Sequence, residues 1–269
     1  MSTESKERIS YIREKRKKKI IVMLFRFLIL VVFLFGWELS AKMKLINTFI
    51  FNSPSIIIKT IYLLYTDGTL FSNIIVTLNE IIISFILSFS LSFLLATAML
   101  AWPMFSKIIS PYLTVLNSLP KVALGPLIII FAGAGNTAII IMGLLISIFV
   151  TTLNIYGYFF STNCQFIMLM KTFQASKLEI FKRVIIPSNL SNLFEALKIN
   201  LSMNYIGVIT GELLVSKSGL GYLINYGSSV FHIDLVMTSI FILSVLSFIM
   251  YIFIETISKK INLHYNSIN

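Results

Sequence analysis

The stretch IIVTLNEIIISFILSFSLSFLLATAML, residues 74–100, contains a single ionisable side chain, Glu80. Because a helix rises about 1.5 Å per residue, this stretch is longer than the roughly 30 Å of hydrocarbon in a bilayer. The whole chain of 269 residues is 57% hydrophobic and 12% charged, whereas soluble domains are about 25% charged. The sequence therefore predicts an all-α polytopic membrane protein and excludes a soluble domain.

Five further apolar segments resemble this one in length and composition. The predicted spans are about Ile20–Ser40, Ile74–Leu100, Tyr112–Ala132, Thr137–Phe160, Leu190–Val215 and Leu235–Ser258. Proline interrupts the third span at Pro120 and again at Pro126, because it lacks the N–H that a continuous helix needs. Together the six spans predict a transmembrane domain at residues 20–265.

The distribution of lysine and arginine predicts the orientation of these spans. Eight of the 22 basic residues lie within the first 19 residues, which is typical of a cytoplasmic tail before a first membrane helix. A signal peptide is the alternative, but Ile20–Ser40 is too long for its apolar region. With the N-terminus inside, 15 basic residues fall on the inner side and four on the outer side. Both termini are predicted to be cytoplasmic.

A short outer segment and two glycine pairs give local predictions. Phe51–Tyr65 is predicted to be an amphipathic helix that begins at Ser53-Pro54, with Ile57, Ile61 and Leu64 on one face. Gly207 and Gly211, four residues apart, allow two helices to approach closely. Gly219 and Gly221 are predicted to shape a re-entrant outer loop.

The predicted cytoplasmic loop, residues 161–187, interrupts the apolar sequence with charge. Gln165–Phe173 is predicted to be a helix with Phe166, Met170 and Phe173 on one face. Such an apolar face favours docking into a groove of a partner protein. The alternative is a basic amphipathic element that lies on anionic lipid headgroups.

A second helix is predicted in the same loop. Ser176 and Glu179 have the spacing of a capping box, which begins a helix. Leu178, Phe181 and Ile185 are expected on one side of this helix, with Lys177, Lys182 and Arg183 on another. Pro187 is predicted to end it, so that the chain turns back into the membrane.

Ionisable residues inside membrane spans are costly and usually functional. The candidates among them are Glu80, Lys121, Glu195, Lys198 and Glu212. Glu195 and Lys198 are expected to pair with each other, and Lys121 to satisfy carbonyls freed by the helix break. Glu80, Glu212 and the polar Asn204 are predicted to line a translocation path or gate. The alternative for Glu212 is a structural hydrogen bond to backbone or to a neighbouring helix.

The sequence shows no signature of a catalyst or a cofactor site. It has no phosphate-binding glycine loop, so any ATP would be bound by a separate chain. His232 and His264 are far apart with no carboxylate cluster, so no metal site is expected. The single cysteine, Cys164, is expected to be a small apolar filler. We predict that the chain is not an enzyme, with neither catalytic residues nor a cofactor of its own.

The loop resembles that of permease subunits of ABC importers, whose pattern is E-A-A, three residues, G, nine residues, then I-x-L-P. Here E-A-A falls on Met168, Leu169 and Met170, the G on Gln174, and the end of the pattern on 184–187. The spacing and Pro187 match, and the letters E-A-A and G are replaced. The stretches NSPSIIIKTIYLLYTDGTLFSNIIVTL (52–78), LPKVALGPLIIIFAGAG (119–135) and GELLVSKSGLGYLI (211–224) are similar to the nitrate, taurine and sulfonate permeases of this family.

This resemblance implies a type I ABC importer permease fold in a bacterial cytoplasmic membrane. It implies two permease copies, two ATPase subunits and an extracytoplasmic solute-binding protein that delivers a small solute such as nitrate, taurine, an alkanesulfonate or a vitamin precursor. The implied ATPase-docking residues are Met168, Met170, Phe173, Gln174, Ala175, Ser176, Leu178, Phe181 and Lys182. The rival interpretation is a self-contained, ion-coupled secondary transporter that uses Glu80 and Glu212.

Overall fold

The computed structural model describes residues 6–45 and 52–266, and within them the chain forms helices and no strand. The helices are α1 (Lys6–Lys42), α2 (Pro54–Thr66), α3 (Thr69–Ala101), α4 (Pro103–Ser118), α5 (Gly125–Ala132), α6 (Asn136–Phe160), α7 (Cys164–Thr172), α8 (Lys177–Ile180), α9 (Leu190–Val215), α10 (Leu220–Ser229) and α11 (Ile233–Asn266). Shorter helical turns occupy Lys121–Leu124, Phe181–Ile185 and Ile186–Ser188. The prediction of an all-α protein is confirmed.

The chain divides into two compact units, one that runs to Leu63 and one that begins at Leu64. In the first unit, the Glu38 carboxylate of α1 accepts hydrogen bonds from the backbone N–H and the hydroxyl of Ser55, at 3.1 and 2.9 Å. Ser55 lies in the first turn of α2, where backbone N–H groups lack partners within the helix. The Trp37 indole donates to the Asn52 carbonyl at 3.2 Å. These bonds hold the start of α2 to the end of α1.

The outer amphipathic helix begins and ends close to its predicted bounds. It starts at Pro54, after Ser53, whose carbonyl accepts the Ile57 amide. Ile57 and Leu64 are buried and Ile61 is half-buried, which confirms the predicted apolar face. Phe51, where the prediction began, lies outside the described residues.

Fewer helices are long and apolar enough to cross a membrane than the six predicted spans. Four helices of the described residues, α1, α3, α6 and α11, are long and apolar enough to cross a membrane. The bent pair Pro103–Ser118 and Lys121–Ala132 supplies a fifth span if it counts as one. The remaining predicted span, Leu190–Val215, forms a helix with the predicted bounds. It is less apolar because charged and amide side chains interrupt it.

The third span is broken where proline predicted a break, but it begins earlier. Helix α4 starts at Pro103, whereas Tyr112 was the predicted start. It ends at Ser118, and the next helical segment, Lys121–Ala132, is bent by 88° relative to α4. Pro120 precedes the turn Lys121–Leu124, and Pro126 lies in the first turn of α5, where its missing N–H costs nothing.

Helices α3, α6 and α9 pack against one another and form the centre of the second unit. A Cβ on Gly207 would lie 2.6 Å from Gly143 Cα, and one on Gly211 would lie 3.0 Å from Ile139 Cα. Any larger side chain at Gly207 would therefore push α9 away from α6. The predicted close approach at the two glycines is confirmed, and its partner is α6.

Helices α10 and α11 add a separate apolar cluster. Leu220 and Leu223 of α10 are buried against Leu243 and Leu246 of α11. Tyr205 of α9 packs on the same cluster and donates its hydroxyl hydrogen to the Leu243 carbonyl at 2.6 Å. The cluster thereby fixes α10, a short outer helix, to two long ones.

Candidate functional site

The loop at residues 161–187, here called the basic loop, begins with the predicted first helix. Helix α7 spans Cys164–Thr172, and the Asn163 side chain caps it by accepting the Gln165 N–H at 2.9 Å. Cys164 is exposed, so the prediction that it fills apolar space is wrong. A cap residue placed before an apolar run explains why the helix starts here.

The predicted capping box at Ser176 is confirmed. Ser176 Oγ accepts the Glu179 N–H at 3.3 Å, and Glu179 Oε2 accepts the Ser176 N–H at 2.8 Å. The Ser176 N–H and the Ser176 hydroxyl both donate to this carboxylate and lower the pKa of the Glu179 carboxyl, with a smaller contribution from the charge of Arg183. The start of α8 is therefore fixed by a local sequence signal.

The two faces of α7 differ from the prediction at one residue. Phe166, Leu169 and Phe173 are exposed, and Phe173 has 74% of its surface accessible. Met170 was expected on this face, but it packs inward with Ile167 on the cluster around Ile180 and Ile185. The outward face therefore carries Leu169 in place of Met170, whose side chain packs into this apolar cluster.

The predicted apolar side of the second helix is split between surface and core. Leu178 is exposed, while Ile185 is buried and Phe181 packs edge-to-face on Phe159 of α6, with ring centroids 5.5 Å apart. Ile180, which was not singled out, is buried instead. The change follows from the five-residue π-type turn Phe181–Ile185, which shifts the register of side chains around the axis.

Gln174 ends α7 in a left-handed conformation with φ of 55°. The Ala175 N–H bonds to the Met170 carbonyl at 3.0 Å and the Gln174 N–H to the Lys171 carbonyl at 2.9 Å. This pair of bonds is a Schellman motif, whose left-handed residue is most often glycine. The position is the one where the resembling permeases carry G. Beside it, Ala175 is half-buried against the core, while Met168, Ser176 and Lys182 are exposed.

The end of the basic loop departs from the prediction. Pro187 does not end the helical path, since it sits in the turn Ile186–Ser188 after the π-type segment that accommodates its missing N–H. The path is interrupted at Asn189, whose side chain donates to the Thr162 hydroxyl at 2.7 Å and to the Ile185 carbonyl at 2.9 Å. Asn189 thus ties the two ends of the loop together, and nothing in the sequence pattern pointed to it.

A ladder of buried polar side chains joins α3 to α9 and α6. Ser84 Oγ donates to Asn204 Oδ1 at 2.9 Å, and Ser88 Oγ donates to Asn200 Oδ1 at 3.0 Å. Asn200 in turn donates to Thr151 Oγ1 of α6 at 2.9 Å. Hydrogen bonds of this kind hold membrane helices together. The prediction named Asn204 but missed its partners, although serines four apart on α3 were a visible signal.

At the outer end of the ladder, three side chains hold the start of α10. The Gly219 N–H donates to Asn73 Oδ1 at 2.7 Å, and the Leu220 N–H donates to Thr77 Oγ1 at 2.8 Å. The Gly221 N–H donates to Glu212 Oε2 at 2.5 Å. We call these three acceptors the outer clamp. The structural alternative for Glu212, a hydrogen bond to backbone, is confirmed by its bond to Gly221.

Glycine is required where the loop meets the Glu212 carboxyl. Gly219 has a φ of 108°, and a Cβ there would lie 2.6 Å from Glu212 Oε1. A Cβ on Gly221 would lie 2.6 Å from Glu212 Cβ. The prediction that these two glycines shape the loop is confirmed, and the loop folds over a buried carboxyl group.

Glu80 lies beside the outer clamp and is 2% exposed. Its carboxyl interacts with that of Glu212, one turn along α3 from Thr77 of the clamp. Glu80, Asn204 and Glu212 are thus buried in the contact between α3 and α9. Their assignment to a path or gate stays a prediction.

The other ionisable residues of the spans find different partners from those predicted. Lys198 forms an ion pair with Glu255 of α11, not with Glu195. Lys121 donates to the Asn117 side chain at 2.9 Å and to the Ile146 carbonyl of α6 at 3.4 Å. Among the described residues, no group of three or more His, Cys, Asp or Glu side chains could hold a metal ion.

Comparison with known proteins gives a consistent family. Residues 88–263 match the family described as binding-protein-dependent transport system inner membrane component. The chain is 31% identical to a formylaminopyrimidine transport permease protein of Halalkalibacterium halodurans over 78% of this chain and 83% of that protein. It is 22% identical to a putative aliphatic sulfonates transport permease protein of Bacillus subtilis, over 84% and 82% of the two chains.

A solved structure shares the fold. A chain of the MetNI methionine ABC transporter, in an inward-facing conformation, superposes with a TM-score of 0.60 at 16% identity. The superposition covers 75% of this chain and 97% of that one. The expected permease fold is therefore confirmed.

Proposed function

Since the chain belongs to the binding-protein-dependent transport system inner membrane components and is a permease subunit of an ABC importer for small solutes, we propose that its basic loop docks the ATPase subunit. It is a bacterial multi-pass inner-membrane protein. Its relatives are named as transport permeases, which confirms that it is a non-catalytic subunit. The family works with a binding protein and an ATPase. The proposals concern the residues that dock the ATPase, the stoichiometry of the subunits and the class of solute.

The observation that carries the docking proposal is the exposed apolar face of the basic loop. Phe166, Leu169 and Phe173 project from α7, and Met168 and Leu178 extend the same exposed apolar set. Large apolar side chains that converge on a short helix match the helix-in-groove mode of protein recognition. Gln174, Ala175 and Ser176 shape the turn that presents them.

Basic residues surround this face. Lys171, Lys177, Lys182 and Arg183 are all exposed on the same loop. Charges at the rim of an interface steer association and set its register more than they add to affinity. An ATPase groove with an acidic rim would complement them. The Lys and Arg residues would serve a lipid surface equally well, and the exposed apolar face is what supports a protein groove.

The docking proposal is tested by replacing outward residues with aspartate. Phe173→Asp and Leu169→Asp should abolish co-purification of the ATPase while the permease still inserts, because a buried charge in the groove is costly. Phe231→Asp is the matched control: Phe231 is 73% exposed and lies between α10 and α11, remote in sequence from the loop. Normal ATPase retention in both loop variants would contradict the proposal, and would favour lipid contact.

We further propose the working assembly. Two copies of this chain form the pathway, two ATPase chains bind ATP, and the binding protein delivers the solute at the outer side. Closure of the ATPase pair moves each basic loop and, through Phe181 on Phe159, the end of α6. Native mass spectrometry of the complex, purified with its ATPase, should give two of each chain.

The solute is proposed to be a small anionic or heterocyclic compound. The relative named for formylaminopyrimidine supports a heterocycle, and the one named for aliphatic sulfonates supports an anion. Identification of the ligand bound to the co-encoded binding protein would decide between them. A large or strongly cationic ligand would contradict both.

One observation favours a second candidate, the ion-coupled transporter. Glu80 and Glu212 form a buried carboxyl pair in the membrane domain, and such residues often mark ion pathways. Transport into ATP-free vesicles, driven by an ion gradient and lost in Glu80→Gln, would support it. Transport that depends on ATP and survives Glu80→Gln would exclude it.

A further inference from the structure

Two buried carboxyl groups meet in the second unit without a basic partner. Glu80 of α3 and Glu212 of α9 are 2% and 0% exposed and interact with each other, one turn along α3 from Thr77, whose Oγ1 accepts the Leu220 N–H beside the Glu212–Gly221 bond. No Lys, Arg or His of the described residues forms an ion pair with either of them; the described ion pairs all lie elsewhere. Two adjacent buried negative charges are unfavourable in an apolar interior.

The two carboxyl groups can form a hydrogen bond with each other only if one of them carries a proton. Neither oxygen of Glu80 accepts a bond from an N–H or O–H of the described residues, and neither does Glu212 Oε1. Ionised carboxylates only accept hydrogen bonds, whereas a protonated one also donates. A bond between two carboxyl groups therefore needs a proton on one of them.

The surroundings indicate which of the two carboxyls carries it. Glu212 Oε2 accepts the Gly221 N–H at 2.5 Å, and the Thr77 hydroxyl is within reach of the same carboxyl. These donors favour the ionised form of Glu212. Glu80 has no such donor. The remaining titratable group near the pair is Tyr205 of α9, which donates its hydroxyl hydrogen to the Leu243 carbonyl.

We propose that Glu80 and Glu212 form a proton-binding site, in which one proton, carried by Glu80, bridges to the Glu212 carboxylate and completes the outer clamp. Glu80 is then a positioning residue: it neutralises and orients Glu212, which holds Gly221 and with it the start of α10. The proton-binding site goes beyond the proposed function, and each of the two proposals can be correct without the other. A monovalent cation between the carboxyls is the competing occupant.

Infrared spectroscopy of the full chain in lipid nanodiscs tests the proposal directly. A protonated carboxylic acid has a C=O stretching band that an ionised carboxylate lacks. The spectrum of the wild type minus that of Glu80→Gln at neutral pH should show the loss of one such band. Glu195→Gln is the matched control, since Glu195 is an exposed glutamate on α9, and its removal should leave the acid band unchanged.

Thermal unfolding provides the second readout. Gln is the neutral isostere of protonated Glu and keeps a donor, so Glu80→Gln should unfold within about 2 °C of the wild type. Glu80→Ala removes the donor and should lower the midpoint by roughly 4 °C or more. An unfolded Glu80→Gln protein would overturn the proposal, because its amide should replace the protonated carboxyl.

Two further results would overturn the proposal. One is an acid band that is the same in the wild type and Glu80→Gln. The other is a wild-type midpoint that rises with Na⁺ or K⁺ while that of Glu80→Gln does not, since a cation would then hold the pair. Loss of transport in a stable Glu80→Gln protein that lacks the band would leave the proton site supported. It would count against the importer function only if ATP dependence were also lost.

Discussion

At the residue scale, single positions with unusual backbone or unusual burial decide how the loops are shaped. Gln174 adopts the left-handed conformation in which the resembling permeases place glycine. A side chain with a Cβ pays roughly 1 kcal/mol or more in that region. Here the Schellman bonds of Ala175 and Gln174 hold the turn in spite of this cost.

This strain gives a stability prediction. Gln174→Gly should raise the free energy of unfolding by about 0.5–1 kcal/mol, since relief of the left-handed conformation exceeds the added freedom of the unfolded chain. The midpoint of thermal unfolding in detergent should rise by roughly 2 °C. Thr172→Gly, in the last turn of the same helix, should lower it. A lower midpoint for Gln174→Gly would mean that the Gln174 side chain makes a contact that outweighs the strain.

At the element scale, the polar ladder determines which faces of α3 and α9 meet. The two helices share apolar surfaces that lipid could cover equally well, so the serine and asparagine pairs supply much of the specificity. Ser84 with Asn204 and Ser88 with Asn200 join the two helices in the observed register. A rotation of α3 that turned its serine face away from α9 would leave the Asn200 and Asn204 side-chain oxygens unpaired, which is costly in hydrocarbon.

A double-mutant cycle measures this contact. Ser88→Ala and Asn200→Ala should show a coupling energy of about 0.6 kcal/mol, and no more than roughly 1.7, as for other hydrogen bonds between membrane helices. The control cycle pairs Asn200→Ala with Thr97→Val, because the Thr97 hydroxyl bonds only within its own helix, to the Phe93 carbonyl. Equal coupling in both cycles would mean that Ser88 has no specific role.

At the scale of the whole molecule, the predicted position of the basic loop on the cytoplasmic side is what would make docking of an ATPase possible. This position follows from the distribution of lysine and arginine and not from any single contact. Cys164, the only cysteine of the chain, is exposed at the start of α7. Its labelling therefore shows on which side of the membrane the basic loop lies.

Labelling with a membrane-impermeant maleimide tests the orientation. Cys164 should react in inverted membrane vesicles and stay unlabelled in intact spheroplasts. A Cys164→Ser chain with Phe231→Cys, in the predicted outer loop before α11, should show the opposite pattern. Labelling of Cys164 from outside would reverse the predicted topology and remove the basis for the docking proposal.

The amino-acid sequence by itself determined the helical membrane class, the breaks near Pro120 and Pro126 and the cap at Ser176. Each of these depends on residues within one helix or turn, where hydropathy, missing N–H groups and side-chain caps act locally. The bounds of Leu190–Val215 were predictable for the same reason.

Only the tertiary structure decided which side chains meet across the chain. Glu212 was a candidate from its position, but its bond to Gly221 and its contact with Glu80 depend on how α3, α9 and α10 pack. Met170 turned inward and Lys198 paired with Glu255 for the same reason. Partners far apart in sequence are selected by burial and the satisfaction of polar groups, and no local pattern encodes that choice.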